Sequence, residues 1–180
     1  MDKTIALPWH VVEQKFLEEI RWLKLAIPRF NSSTIYDRMD SESNITGRDC
    51  DCDYRRISLL MVTGVIHVRE INFKGNDDLW GGLSKNTDMV IKKHKHGQEW
   101  HRGMMNILDQ YFTNDGYGVV TEPNLNWGRA DLGLFRNNES PIYIEVGTTS
   151  IQKLRINLQS MLGVTFLLVL EENRIIEIRT

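Results

Sequence analysis

Cysteine and proline are scarce in this chain, with two Cys and four Pro among 180 residues. Cys50 and Cys52 stand two positions apart, too close to bridge each other without severe strain. A fold stapled by disulfides is thereby excluded, and reduced thiols in a cytoplasmic protein are the expectation. Asp2 and Lys3 lead only into Thr-Ile-Ala-Leu-Pro, too short for the apolar stretch of a signal peptide. No apolar run approaches the roughly 20 residues that a helix needs to cross a bilayer, so no membrane partner is expected. A surplus of either charge is missing too. Residues 1–95 carry 15 Lys and Arg against 14 Asp and Glu, and residues 96–180 carry 7 against 10. Neither half is strongly basic, so binding to nucleic acid should be modest and salt-sensitive. Hydrophobic residues make up 41% of the chain, enough for an ordinary packed core.

The most informative residues present are two acids set in apolar runs. Gly128-Arg129-Ala130-Asp131-Leu132-Gly133-Leu134-Phe135 and Ile142-Tyr143-Ile144-Glu145-Val146 read as neighbouring strands, with a turn at 137–141 between them. A carboxylate inside a buried strand is costly unless it is neutralised. Two of them on strands that pair make a hard-oxygen site suited to Mg2+ or Mn2+. Around them, residues 98–112 have helical spacing at Trp100, Met104, Ile107, Leu108 and Tyr111, and Gly116 supplies a stop. Residues 117–121 form a short strand. Thr148, Thr149 or Ser150 caps a helix to about residue 161, and 165–170 and 174–178 close the domain as strands.

This αβββαββ order with its two acids resembles the PD-(D/E)XK nuclease superfamily over about residues 95–180. The resemblance implies a restriction-endonuclease-like αβββαβ core with one added strand. It also implies Mg2+ or Mn2+ as cofactor, DNA as substrate and partner, and hydrolysis of a phosphodiester. Asp131 matches the acid of the second core strand and Glu145 that of the third, with the carbonyl of Val146 as a further metal ligand. The superfamily lysine belongs at position 147, which is Gly147 here. Lys153, on the following helix, is the nearest replacement, and Arg129 is a weaker one. Glu99 is the candidate for the extra acid carried by the preceding helix in related nucleases.

The first half has a different pattern. Residues 12–27 are amphipathic, with Phe16, Ile20, Leu23 and Ile27 on one stripe before Pro28. A short helix is expected at 31–39 and a third from Thr46 to about residue 63, ended by Gly64. Residues 65–71 alternate like a strand, 74–77 form a turn and 79–84 return. Three helices and a hairpin resemble a winged helix-turn-helix over about residues 12–90. The implied division is a DNA-binding domain at 1–90, α+β in character, and a nuclease-like α/β domain at 91–180. Arg48, Arg55 and Arg56 on the third helix and Arg69 and Lys74 in the wing become the expected DNA contacts. Lys92, Lys93 and Lys95 form a basic junction that either tracks a phosphate backbone or is a solvated linker.

Other patterns are weaker. Asp49, Asp51 and Asp53 mimic the start of a calcium loop, but its glycine and glutamate positions hold Tyr54 and Leu60. Early-turn acids favouring a helix N-terminus explain them better. His94, His96 and His101 lie near Glu99, yet His-x-His is a poor zinc spacing on a helix. The expectation is a cytoplasmic, metal-dependent DNA endonuclease whose winged-helix module positions DNA, with room for a homodimer. Two alternatives stand beside it: a non-catalytic DNA-binding regulator on a degenerate nuclease fold, and a protein-interaction adaptor.

Overall fold

The structure is a computed structural model that describes residues 8–27, 46–72, 98–170 and 174–180. In chain order the elements are α1 (Trp9–Ala26), α2 (Thr46–Val62), β1 (His67–Asn72), α3 (Gln98–Asn114), β2 (Gly118–Thr121), β3 (Leu132–Phe135), β4 (Ile142–Val146), α4 (Ile151–Ser160), β5 (Thr165–Leu170) and β6 (Arg174–Arg179). The strands form a six-stranded mixed sheet in the order β1-β6-β5-β4-β3-β2. Within it β4 and β5 run parallel, and α4 is the crossover that a parallel pair requires. Four helices and a mixed sheet among the described residues make this an α/β fold.

Alternation along the central strands sorts the core into two layers. On one face Phe166, Leu168, Tyr143, Ile176 and Ile178 pack with Leu23 and Ala26 of α1, Tyr54 and Ile57 of α2, and Leu154 and Leu158 of α4. On the other, Leu167, Val169, Leu132, Leu134, Ile144 and Ile175 pack with Trp100, Met104, Leu108 and Phe112 of α3. The four α3 residues recur every four positions, a single helical stripe laid against the sheet. Each fully buried Leu or Ile contributes roughly 1.5–3 kcal/mol. β5 is buried on both faces, which explains its unbroken Phe-Leu-Leu-Val-Leu run.

Helix ends follow their glycines. At the end of α2, Val65 N–H donates to Leu60 O and Gly64 N–H to Met61 O, with Gly64 at φ +73°. Tyr117, Gly116, Phe112 and Thr113 repeat the arrangement after α3. These paired bonds satisfy the last helical carbonyls and need a left-handed residue at the turn.

The strand expected to open a wing has a distant partner along one of its edges. β1 pairs antiparallel with β6, from His67 opposite Arg179 to Asn72 opposite Arg174. Alternation predicts a strand there but does not choose its neighbour, and a non-local edge supplies it. One sheet therefore joins residues on either side of the expected boundary at 90/91, as does the core that packs α1 and α2 with α4. Asp53 of α2 reinforces that junction as an ion pair with Arg155 of α4, instead of serving the helix terminus. The expected helix at 31–39, the turn at 74–77 and the return strand at 79–84 lie outside the described residues.

Candidate active site

Asp131 is the residue before β3, and Glu145 is the fourth of five residues in β4. The register sets Leu132 opposite Ile144, so one step further Asp131 and Glu145 become neighbours across the strands, on one sheet face. At this step the Asp131 carboxylate enters the ladder itself. Its Oδ2 accepts a hydrogen bond from Val146 N–H at 2.6 Å. The same oxygen lies 3.3 Å from Nε2 of His101 on α3. Asp131 is half-buried at the sheet mouth, whereas Glu145 is 6% exposed.

Lys153 completes the cluster. Ser150 caps α4 and its Oγ accepts from Lys153 N–H at 3.4 Å, which fixes Lys153 in the first turn. From there the side chain returns to the sheet, and its Nζ stands 2.6 Å from Glu145 Oε1. The charges do not fully compensate. Burial pushes the Glu145 carboxyl up to about 7, against the pull of the Lys153 ammonium, and the nearby Asp131 charge adds to the rise.

Position 147 disfavours a lysine for a local reason. Gly147 adopts φ +85°, and its N–H donates to Val169 O at 2.8 Å as the chain leaves β4. A side chain there would occupy the left-handed region, and its Cβ would stand 3.5 Å from Trp100 Cζ3. A lysine at 147 would thus strain the strand exit, and the ammonium beside Glu145 comes from α4.

Asp131, Glu145, Val146 and Lys153, all expected, come together. Glu99 lies in the first turn of α3 with its side chain exposed. Arg129 does not replace the lysine, since its guanidinium pairs with Glu122 at 3.1 Å on the surface. His101, a poor zinc ligand by its spacing, enters by another route, through Asp131. Its place on α3 near Glu99 is the one sequence signal that points to it.

Among the expected DNA contacts, Arg55 and Arg56 are exposed on α2, away from the buried Tyr54 and Ile57. Arg48 belongs to α2. Arg69, its side chain 53% exposed, is engaged within the sheet. Its guanidinium grips Glu177 with two hydrogen bonds of 2.8 and 2.9 Å, and Arg179 adds an ion pair at 2.7 Å. Burial raises the Glu177 carboxyl, but the two arginines outweigh it and hold the group below its ordinary value. Lys74, Lys92, Lys93 and Lys95 lie outside the described residues.

The donor set suits a hard divalent cation by its chemistry. Two carboxylates and the Val146 carbonyl offer oxygens, and a cation would offset the burial that chiefly raises Glu145 and the smaller Asp131 repulsion. Among the described residues, no group of three His, Cys, Asp or Glu side chains is arranged to hold a metal ion. None of the helices in the described residues is long and apolar enough to cross a membrane. Comparison with known proteins gives no match to a family model, a curated protein or a solved structure.

Proposed function

We propose that this chain is a Mg2+- or Mn2+-dependent deoxyribonuclease that hydrolyses phosphodiester bonds, with a site like that of the PD-(D/E)XK nucleases. One observation carries the reading: the Lys153 ammonium stands 2.6 Å from Glu145, whose neighbour across the paired strands is a second acid, Asp131. An ion pair kept only for stability gains little from a second, repelling acid beside it, whereas a cation and phosphate site needs both signs of charge.

Asp131, Glu145 and the Val146 carbonyl would hold the divalent ion, which supplies an activated water and stabilises charge on the phosphate. The chain's own groups do the rest. Val146 N–H orients the Asp131 carboxylate, and His101 bears on the same oxygen. Lys153 places a positive charge where it balances a phosphate oxygen or hydrogen-bonds the attacking water. Arg55 and Arg56 would contact the DNA backbone away from the reacting group.

The test is cleavage of labelled linear, single-stranded and branched DNA with Mg2+ or Mn2+. Wild type should cut at least one form. Asp131→Ala should abolish cutting, and Lys153→Ala should slow it by roughly 100-fold or more, the scale of a lost electrostatic or proton-handling group. DNA bound but uncut in every form would leave a non-catalytic regulator built on this fold.

A further inference from the structure

A lysine on a helix is a poor fixed charge. Its four-carbon stem has much rotamer freedom to lose, and a helix turn gives its outer atoms no wall. The nuclease reading, on which this inference rests, requires the ammonium to be held. The wall comes from the hairpin tip at 124–129. There Asn124 bridges Arg129, and Leu125 N–H donates to Gly128 O at 2.9 Å. Gly128 has φ +79°, and a Cβ placed on it would stand 3.6 Å from Lys153 Cε, 3.7 Å from Cδ and 3.9 Å from Cγ. The backbone of the tip therefore lies along the stem of Lys153.

The buried hold on the tip is a single side chain. Asn157, on α4 one turn beyond Lys153, is 1% exposed. Its Oδ1 accepts from Trp127 N–H at 3.0 Å, and its Nδ2 donates to Trp127 O at 2.9 Å and to Lys153 O at 2.9 Å. Both amide donors are used, and gripping the N–H and C=O of one residue fixes which way the amide faces. A second, exposed tether runs from Asn126 Nδ2 to Ser160 O at 3.1 Å. These bonds join the tip to the same helix that carries the lysine.

We propose that Asn157 is a positioning residue for Lys153. It clamps the 124–129 tip against the lysine stem, so that the ammonium reaches Glu145 from a helix instead of from position 147. A polar residue inside a helix pattern reads as a solvated face, so spacing alone assigns Asn157 no such role.

The experiment uses the full chain as wild type, Asn157→Ala and Asn126→Ala, with folding checked by circular dichroism. Nitrogen and carbon relaxation of the Lys153 side chain should show an ordered ammonium in wild type, a mobile one in Asn157→Ala and an intermediate one in Asn126→Ala. Single-turnover cleavage should fall on the order of 10- to 100-fold in Asn157→Ala with KM little changed, as expected for a misplaced group. A folded Asn157→Ala whose Lys153 is as ordered as in wild type overturns the proposal, and so does an unchanged kcat. If Asn157→Ala does not fold, Asn126→Ala decides by the same readouts, and an unaltered Lys153 there is again a refutation. If wild type cuts no DNA, the nuclease reading fails, while the relaxation measurement still decides the positioning role.

Discussion

Raising the pH from 6 to 8 should tighten divalent-ion binding about tenfold, because the ion competes with a proton on Glu145. The carboxyl is pushed up to about 7 by burial and by the Asp131 charge, against the pull of Lys153. At pH 6 about nine-tenths of it is protonated, and at pH 8 about one-tenth. Ion binding at pH 6 must therefore expel close to one proton, and at pH 8 almost none. Titration calorimetry with Mn2+ in two buffers of different ionisation enthalpy counts that proton directly. Carrying out the titration without DNA keeps the result separate from catalysis. Asp131→Asn should weaken binding at both pH values while reducing proton release at pH 6, since the neighbouring charge that helps raise Glu145 has gone. Equal Mn2+ affinity at pH 6 and 8 with no proton released would refute the reasoning, as would wild-type affinity in Asp131→Asn.

The same shift predicts a stability slope in the absence of metal. The folded-state value lies above the ordinary value of 4.5, so the native state binds the proton more tightly than the unfolded chain. Stability should fall as pH rises from about 4.5 to 7 by on the order of 3 kcal/mol, and level off above that; urea unfolding should show this segment of the slope lost in Glu145→Gln, whatever the variant's absolute stability. Gly147→Lys should cost about 1–2 kcal/mol through left-handed strain and should not restore cleavage to Lys153→Ala, measured by denaturation and by the DNA assay. Arg69→Ala should lower stability by about 1 kcal/mol, the scale of a half-exposed bidentate pair, while leaving DNA affinity and its salt slope unchanged. A phosphate-contacting Arg69 would flatten that slope instead.

The parts of the fold that are legible in the sequence are those where one local signal decides. β5 is such a part, since an apolar run from Phe166 to Leu170 fits a strand buried on both faces. The Trp100, Met104 and Leu108 spacing marks a helix stripe, and Gly64 and Gly116 mark real stops. Pairing is what local signals leave open. Alternation over 65–71 is equally compatible with a hairpin wing and with the edge of a distant sheet, and β6 lies more than 100 residues away. The Arg69 to Glu177 contact follows from that pairing and is invisible for the same reason. Asp53 misleads in a related way, because it stands eight residues into α2, beyond the reach of a helix N-terminus, while its partner Arg155 is set by helix packing.

The site divides along the same line. Asp131 and Glu145 are legible because an acid within an apolar strand contradicts its surroundings, and a local contradiction can be read locally. His101 and Asn157 break no local rule. One is an ordinary polar residue on an amphipathic helix, and the other lies in a pattern that tolerates a solvated face. Each gains its place only when two elements meet: α3 against the mouth of β3 for His101, and the 124–129 tip against α4 for Asn157. Gly147 joins the two kinds of information. Read alone, it is a missing lysine. With φ +85° and Trp100 behind it, it is the turn that takes the chain out of β4 and into α4, and thus a condition for Lys153 to reach Glu145. On the proposed nuclease reading, the glycine at 147 and the lysine six residues later share one structural cause, and Gly147→Lys tests that link more directly than any removal of Lys153.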